Sequence, residues 1–254
     1  MNLELKSELA AGYKSPLQVA RVISEDWAAR NLYCPACESD RLDSSPPNAR
    51  AIDLLCPECN QVYQLKSTKS WSQNRIVDAA YSAMIAAIRS DQVPNLVIMQ
   101  YTVSWRVCNV LLVPSFFFTE SVIERRKPLG PYARRAGWVG CNILLNRIPP
   151  DGKLPLVTAG VIADARAVRQ RYDQTRPLQQ MRGETRGWTL DVLNVVRELN
   201  QREFTLQEIY AFEARLAELH PDNRNVRPKI RQRLQKLRDL NFLEFVSPGC
   251  YRLT

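Results

Sequence analysis

Two pairs of cysteines constrain this chain more than any other feature of its sequence. The pairs are Cys34-Pro-Ala-Cys37 and Cys56-Pro-Glu-Cys59, with 18 residues between them. Zn²⁺ prefers four soft ligands in a tetrahedron, and each pair supplies two, so the spacing predicts a structural zinc site. A redox motif would need only one pair. The other three cysteines are expected to be ordinary thiols, mostly in apolar surroundings; they are Cys108, Cys141 and Cys250.

The composition is that of a soluble globular chain with a basic surface. Its 254 residues are 45% hydrophobic, and the formal net charge is +9. There is no apolar run of about 20 residues, and the first residues lack the pattern of a signal peptide. We therefore expect a cytoplasmic monomer that does not contact membranes. The charge favours a polyanionic partner, although a basic surface that is only solvated stays open as an alternative.

Hydrophobic periodicity predicts an α/β core in the first half of the chain. Helical spacing indicates one helix within residues 1–31, with Leu17, Ile23 and Trp27 on its apolar face. Two short strands are expected on either side of the second cysteine pair. Another helix and two buried strands follow, typical of a mixed sheet. The ranges for the short strands, the helix and the buried strands are 51–55, 61–66, 75–89, 95–103 and 107–113.

The second half of the chain changes in character twice. Residues 125–140 are basic and aromatic, and their prolines and glycines predict a loop. Residues 166–186 are polar and charged, with little apolar periodicity, so we interpret them as an interdomain connection. This places the two domains at residues 1–183 and 184–254.

The last 70 residues or so are typical of a winged helix. An amphipathic helix is followed by a second, which opens with a capping box, Thr205-Leu-Gln-Glu208. A third helix begins near Pro228, and two short strands flank a Ser-Pro-Gly turn. This third helix and the turn before it carry many cations and no acid, which favours contact with DNA in the major groove over an idle charged surface. These cations are Arg224, Arg227, Lys229, Arg231, Arg233, Lys236 and Arg238.

Asp53, Gln64 and Lys66 are the candidate catalytic residues. Gln64 and Lys66 are two positions apart, so they share one face of a strand. Mg²⁺ could be held by the Asp53 carboxylate, the Gln64 side-chain oxygen and the backbone carbonyl of Leu65, while Lys66 polarises an attacking water. The pattern alone is weak, but the zinc site would fix the hairpin that presents these residues together.

Several sequence blocks, in order, resemble the DpnI family of methyl-directed restriction endonucleases. Besides the zinc pairs, Asp53 and Lys66, the blocks are Arg126-Lys-Pro-Leu, Ala133-Arg-Arg-Ala-Gly-Trp-Val-Gly-Cys-Asn-Ile, Arg186-Gly-Trp-Thr, Glu203-Phe-Thr-Leu, Lys229-Ile-Arg-Gln and Leu237-Arg-Asp. The resemblance covers nearly the whole chain. It implies a PD-(D/E)XK nuclease domain with structural Zn²⁺, followed by a winged helix. It also implies Mg²⁺-dependent cleavage of double-stranded DNA at GATC sites that carry N6-methyladenine.

The resemblance also assigns roles to individual residues. Asp53 would bind Mg²⁺, and Lys66 would be the catalytic lysine. Gln64 departs from the family motif, which has an acid there, so Mg²⁺ should bind more weakly; Glu25 or Asp26 could add a carboxylate. The methyl-reading surface of the nuclease domain would include Arg134, Arg135 and Trp138. The recognition helix would include Arg231 with its neighbours Arg227, Lys229, Arg233 and Lys236.

N6-methylation adds a methyl group to adenine and leaves one N–H donor, so a reader needs apolar surface beside a hydrogen-bond acceptor. Trp138, between Arg135 and Asn142, offers this combination. Two other interpretations remain open. One is a methyl-DNA-binding protein whose catalysis is weakened by Gln64, and the other is a zinc-ribbon and winged-helix transcription regulator.

Overall fold

The structure is a computed structural model that describes residues 1–46, 51–70, 72 and 74–254. Its helices are α1 Pro16–Asn31, α2 Tyr81–Arg89, α3 Ala165–Thr175, α4 Gly183–Glu198, α5 Leu206–Tyr210, α6 Glu213–Leu219 and α7 Val226–Asp239. Its strands are β1 Asp43–Ser44, β2 Leu54–Leu55, β3 Val62–Thr68, β4 Arg75–Ala80, β5 Asn95–Tyr101, β6 Val107–Val113, β7 Ile123–Arg125, β8 Gly140–Leu144, β9 Leu154–Thr158, β10 Val161–Ile162, β11 Glu203–Thr205, β12 Leu243–Ser247 and β13 Cys250–Leu253. None of the described helices is long and apolar enough to cross a membrane.

The chain divides into two compact units, each made of separate segments. The first unit contains Met1–Ser72, Val93–Ser115 and Asp151–Arg176, and the second contains Gln73–Gln92, Phe116–Pro150 and Pro177–Thr254. We call them the sheet unit and the winged-helix unit. The boundary expected at residues 183 and 184 falls inside the winged-helix unit.

The sheet unit is built on seven strands in the order β1-β2-β3-β5-β6-β9-β10. The β3–β5 pair is parallel and every other neighbouring pair is antiparallel, so the sheet is mixed. Its central strand β5 is almost entirely buried, as its continuous apolar sequence predicts. Helix α1 buries Ile23 and Trp27 and packs near β3. The expected α/β core is therefore confirmed.

Two details of the predicted helices are wrong. The helix expected over residues 75–89 begins only at Tyr81, because residues 75–80 form β4 and pair with β8. The β-branched Ile76 and Val77 favour this extended conformation once a partner strand is present. Leu17 was expected on the apolar face of α1, but it is 84% exposed because the first turn of the helix extends beyond the core.

Residues 166–186 are not simply a connection, because most of them are helical. Helix α3 opens with Asp164 as its N-cap, whose carboxylate accepts a hydrogen bond from the backbone N–H of Ala167. Val168 and Tyr172 lie four residues apart and are buried. Because only these few apolar residues face inward, the sequence shows too few hydrophobic positions at helical spacing to predict the helix among its charged residues.

The predicted winged helix is present at the end of the chain. Strands β11, β13 and β12 form a three-stranded sheet, α7 packs against β12, and α4 packs against α7. The capping box is formed as expected, with Thr205 and Glu208 bonding reciprocally. The second predicted helix is divided into α5 and α6, which are separated by Ala211 and Phe212.

The winged helix shares its unit with α2 and with a sheet of β4, β8 and β7. Buried Asp191 on α4 accepts a hydrogen bond from the Ser121 hydroxyl at 2.8 Å and lies 2.8 Å from Nε2 of His220. The His220 ring stacks on Trp188 with 3.9 Å between centroids. Arg186 donates to Asp91 at 2.5 Å. The Ser121 and Asp91 contacts join the winged helix to residues 70 or more positions earlier in the chain, and the His220 contacts hold the winged helix together internally.

Candidate active site and zinc cluster

The four paired cysteines meet in the sheet unit. Their sulfur atoms all lie within 4.8 Å of one another, and the Cys34–Cys59 and Cys37–Cys56 sulfurs are 3.5 Å apart. A tetrahedron with Zn–S bonds of about 2.3 Å would place the sulfurs about 3.8 Å apart. Within the described part of the chain, no other group of three or more His, Cys, Asp or Glu side chains is close enough to share an ion. The cluster could hold zinc, as the spacing predicts.

Arg169 of α3 holds the first cysteine pair in place. Its guanidinium donates hydrogen bonds to the backbone carbonyls of Cys37 at 3.0 Å, Cys34 at 3.3 Å and Ser39 at 3.0 Å. The Arg169 side chain is only 12% exposed and stacks over Tyr33. The guanidinium also pairs with Asp40 at 3.0 Å. A zinc ion with four thiolates carries a net charge of about −2, so Arg169 adds positive charge near the cluster as well as fixing the loop.

The four sulfur atoms of the cluster do not share one electrostatic environment. Burial raises the pKa of the Cys34 thiol to about 11, although the nearby Tyr63 hydroxyl, 3.1 Å from the sulfur, acts in the opposite direction. Burial also acts to raise the pKa of Cys56, but backbone N–H groups of Cys59 and Glu58 outweigh it and lower this pKa to about 7. Burial raises the pKa of Cys37 to about 11 and also raises the pKa of Cys59. Cys56 is therefore the one thiol of the cluster whose surroundings favour thiolate, the form that binds metal.

The Asp53 carboxylate lies against the backbone of β3 at Leu65, the residue between Gln64 and Lys66 in the sequence. The Asp53 N–H donates to the Tyr63 carbonyl at 2.9 Å, and the Asp53 carboxylate accepts from the Leu65 N–H at 2.7 Å. Strand pairing between β2 and β3 ends at Leu54 and Tyr63. Beyond this point the Asp53 side chain, rather than a backbone carbonyl, accepts the hydrogen bond from β3. The hairpin expected to bring these residues together is present.

The backbone of β3 also contributes to this site. In a strand, the N–H and C=O of one residue point to the same edge. Because the Leu65 N–H points to Asp53, the Leu65 carbonyl faces the same edge as the Asp53 carboxylate. Gln64 and Lys66 share one face of β3 and are half-buried. The Asp53 carboxylate and the Leu65 carbonyl oxygen at one strand edge, with the Gln64 amide on a face of the same strand, are oxygen ligands of the kind that bind Mg²⁺, which usually takes one or two carboxylates and several waters.

Helix α1 brings the charged side chain of Arg21 within electrostatic reach of Asp53. Arg21 donates to Glu25 at 2.6 Å, and this pairing, with a smaller contribution from Asp53, raises the pKa of Arg21. Glu25 is thus linked to the Asp53 hairpin through Arg21, whereas Asp26 pairs with Arg30 along the helix. Sequence reasoning suggested Glu25 or Asp26 without separating them and missed Arg21, although its position one turn before Glu25 was a usable signal.

Trp138 and Arg135 meet on the basic loop of the winged-helix unit. The Arg135 guanidinium lies 4.8 Å from the centre of the half-buried Trp138 ring, and Arg134 is exposed beside it. The ring rests on Gly140, where a Cβ atom would come within 2.7 Å of it. Asn142 is placed differently, because it is buried on β8 and its amide donates to Glu124 at 2.6 Å. The structure does not bring Asn142 to the exposed surface that carries Arg134.

The cations of α7 divide into exposed and covered side chains. Arg227 and Arg231 are exposed and both contact Tyr210, Arg227 over the ring and Arg231 through the hydroxyl. Lys229 lies 3.5 Å from Glu184, and Lys236 is half-buried. Arg233 is only 5% exposed. Its position among the apolar residues of α7 keeps it off the face that a DNA backbone could reach.

A mixed α/β core with a four-cysteine cluster that could hold zinc, together with a winged helix, is typical of proteins that act on DNA. The sequence model described as DpnI, Dam-replacing family, matches residues 1–181, and the one described as DpnI_C, Dam-replacing HTH domain, matches residues 184–253. The chain belongs to the DpnI, Dam-replacing family. This membership confirms the resemblance seen in the sequence, and it supports a methyl-dependent restriction enzyme of the nuclease class with a DNA-binding winged helix.

Proposed function

We propose that this protein is a Mg²⁺-dependent endonuclease that cleaves double-stranded DNA at GATC sites carrying N6-methyladenine. The observation that carries the proposal is the hydrogen bond between the Asp53 carboxylate and the Leu65 N–H, which holds the acid against the strand that carries Gln64 and Lys66. The family match over residues 1–181 supports a nuclease over a transcription regulator. We propose further that the enzyme acts as a cytoplasmic monomer, with domains at residues 1–183 and 184–254.

In this proposal each residue of the site has a separate task. Asp53, the Gln64 side-chain oxygen and the Leu65 carbonyl would hold Mg²⁺. When bound, Mg²⁺ would offset the charge of the phosphodiester and lower the pKa of water. Lys66 orients the attacking water and stabilises negative charge on the phosphate. Arg21, which already compensates Glu25 and Asp53, keeps the cluster from accumulating uncompensated negative charge.

Specificity would come from the winged-helix unit. One methyl group is worth only about 1 to 3 kcal/mol of discrimination. Strong dependence on methylation therefore requires reading both methyl groups of the palindrome, or reading by two surfaces. The loop with Arg134, Arg135 and Trp138 is one such surface, and α7 with Arg227 and Arg231 is the other. Because their exposed side chains are cationic, both suit a DNA backbone.

The first test compares one plasmid in two forms, methylated and unmethylated at GATC adenines, with Mg²⁺ present. We expect fragmentation of the methylated form alone. Equal cutting of both forms would contradict methyl dependence, and no cutting of either would contradict nuclease activity.

The active-site assignment is tested by replacing Lys66. Because Lys66→Ala removes the group that orients water, we expect cleavage to fall by about two orders of magnitude or more while binding to methylated duplex is kept. Lys14→Ala is the matched control, since Lys14 is an exposed lysine of the same unit. Undiminished cutting by Lys66→Ala would show that the active site lies elsewhere.

Gln64 favours a second candidate function, a methyl-DNA-binding protein with weakened catalysis. An amide in place of an acid removes one negative charge from the proposed Mg²⁺ site. We expect Gln64→Glu to lower the Mg²⁺ concentration needed for half-maximal cutting. If the natural protein binds methylated DNA without cutting and Gln64→Glu cuts it, the second candidate is correct. The remaining alternative, a transcription regulator, predicts a footprint on unmethylated DNA that Asp53→Asn leaves unchanged.

A further inference from the structure

Tyr132 is the most exposed large hydrophobic side chain of the described residues. Its relative accessibility is 102%, so nothing in the structure covers the ring. Tyrosine usually buries most of its ring, because the aromatic face gains little from water. Leu129, three residues earlier on the same loop, is also exposed.

The loop that carries Tyr132 is ordered by its own backbone. Leu129 and Trp138 are joined by a 2.9 Å hydrogen bond, and the Gly137 N–H donates to the Leu129 carbonyl at 3.0 Å. Across the tip, the Ala133 N–H donates to the Gly130 carbonyl at 3.0 Å. Prolines at positions 128 and 131 fix two further φ angles. Tyr132 is thus presented from a closed loop, which reduces the entropy lost when it binds.

The chemistry around Tyr132 indicates what it would contact. Residues 125–140 contain five cations and no acid. The cations are Arg125, Arg126, Lys127, Arg134 and Arg135. A cationic loop with an uncovered aromatic ring at its tip combines attraction for phosphates with a surface on which bases stack. A protein partner would need matching acids and a pocket for the ring, whereas duplex DNA supplies both phosphates and flat bases.

We propose that Tyr132 inserts its ring into the DNA base stack as an aromatic wedge, next to the site that this loop reads. The inference rests on the proposed function, since it requires the loop to lie on the DNA substrate. Inserted side chains unstack a base step and bend the duplex, which lets more protein surface reach the DNA. The ring, rather than the hydroxyl, makes the contact.

The proposal is tested with a methylated GATC duplex that carries 2-aminopurine at the base pairs flanking the site. This base becomes fluorescent when it is unstacked. With divalent metal omitted so that the duplex is not cut, we expect wild-type protein and Tyr132→Phe to raise the fluorescence. Tyr132→Ala should raise it little and bind about tenfold more weakly. Tyr13→Ala is the matched control, because Tyr13 is an exposed tyrosine of the sheet unit, and it should behave as wild type.

Two results would overturn the wedge. In the first, Tyr132→Ala binds the duplex and raises the fluorescence as wild type does. In the second, Tyr132→Phe loses as much affinity and fluorescence as Tyr132→Ala, which would assign the contact to the hydroxyl. Failure of the proposed function looks different. In that case wild-type protein binds the duplex without preferring the methylated form. Comparing the fluorescence of wild type, Tyr132→Phe and Tyr132→Ala then still tests the wedge. Protein that binds no duplex would overturn both.

Discussion

At the scale of single residues, the position of the Trp138 ring depends on Gly140 having no side chain. Gly140 begins β8, and the Trp138 ring occupies the space where its Cβ would lie. The Arg135 guanidinium lies over the indole ring, 4.8 Å from its centre. A glycine at this position therefore sets where the candidate methyl-reading ring rests.

We predict that Gly140→Ala reduces methyl discrimination without unfolding the protein. The new methyl group would lie 2.7 Å from two ring carbons, so the indole must shift. The ratio of kcat/KM for methylated and unmethylated DNA should fall about tenfold, or about 1.4 kcal/mol, within the range that one methyl group provides. Gly130→Ala is the control, because no atom lies within 4 Å of its added Cβ. An unchanged ratio in Gly140→Ala would argue against Trp138 as the methyl reader.

At the scale of secondary-structure elements, α3 is both a packing helix and a brace for the zinc cluster. Val168 and Tyr172 anchor it in the sheet unit, and Arg169 reaches the carbonyls of the first cysteine pair. Arg176, just past the end of the helix, donates to the Ala36 carbonyl at 2.7 Å. The element thus fixes a loop about 130 residues away in sequence.

We predict that Arg169→Ala weakens zinc retention. Its loss leaves the Cys34 and Cys37 carbonyls without their donor and removes a cation beside the thiolates. Changes in the groups that orient metal ligands cost about 10- to 100-fold in affinity, so zinc should transfer correspondingly faster to a coloured chelator. Arg166→Ala, an exposed arginine of the same helix, should release zinc at the wild-type rate. Equal release by both variants would show that α3 does not brace the cluster.

At the scale of the whole molecule, the two compact units separate the candidate chemistry from the candidate reading surfaces. Asp53, Gln64 and Lys66 belong to the sheet unit, together with the cysteine cluster. The basic loop and α7 both belong to the winged-helix unit. Removing residues 184–254 would therefore take away half of a compact unit, including the partners of Ser121 and Asp91.

We predict that Asp191→Ala destabilises the winged-helix unit by about 2 kcal/mol. The substitution removes the carboxylate that pairs with the Ser121 hydroxyl and with His220, whose side chain is 13% exposed, and losing such a partner in a largely covered site costs about 1 to 3 kcal/mol. Urea unfolding monitored by tryptophan fluorescence measures the loss. Asp222→Ala, at an exposed position, should change stability by less than about 0.5 kcal/mol. If the two variants unfold alike, the Asp191 contacts do not hold the unit together.

Features carried by short stretches of sequence were predictable. The cysteine spacing predicted the cluster, the two apolar runs predicted β5 and β6, and Thr205 with Glu208 predicted the start of α5. In each case the interacting groups are close along the chain or have chemistry that few partners can satisfy. The family was recognisable for a related reason, since its blocks occur in one order.

Features that depend on distant partners needed the tertiary structure. Residues 75–80 are a strand because β8 pairs with them, and Asn142 and Arg233 are covered by elements that their own sequence neighbours do not specify. The electrostatic interaction of Arg21 with Asp53 and the full exposure of Tyr132 also could not be predicted from the sequence. Burial and electrostatic surroundings are set by which elements pack together, and local periodicity carries no information about that choice.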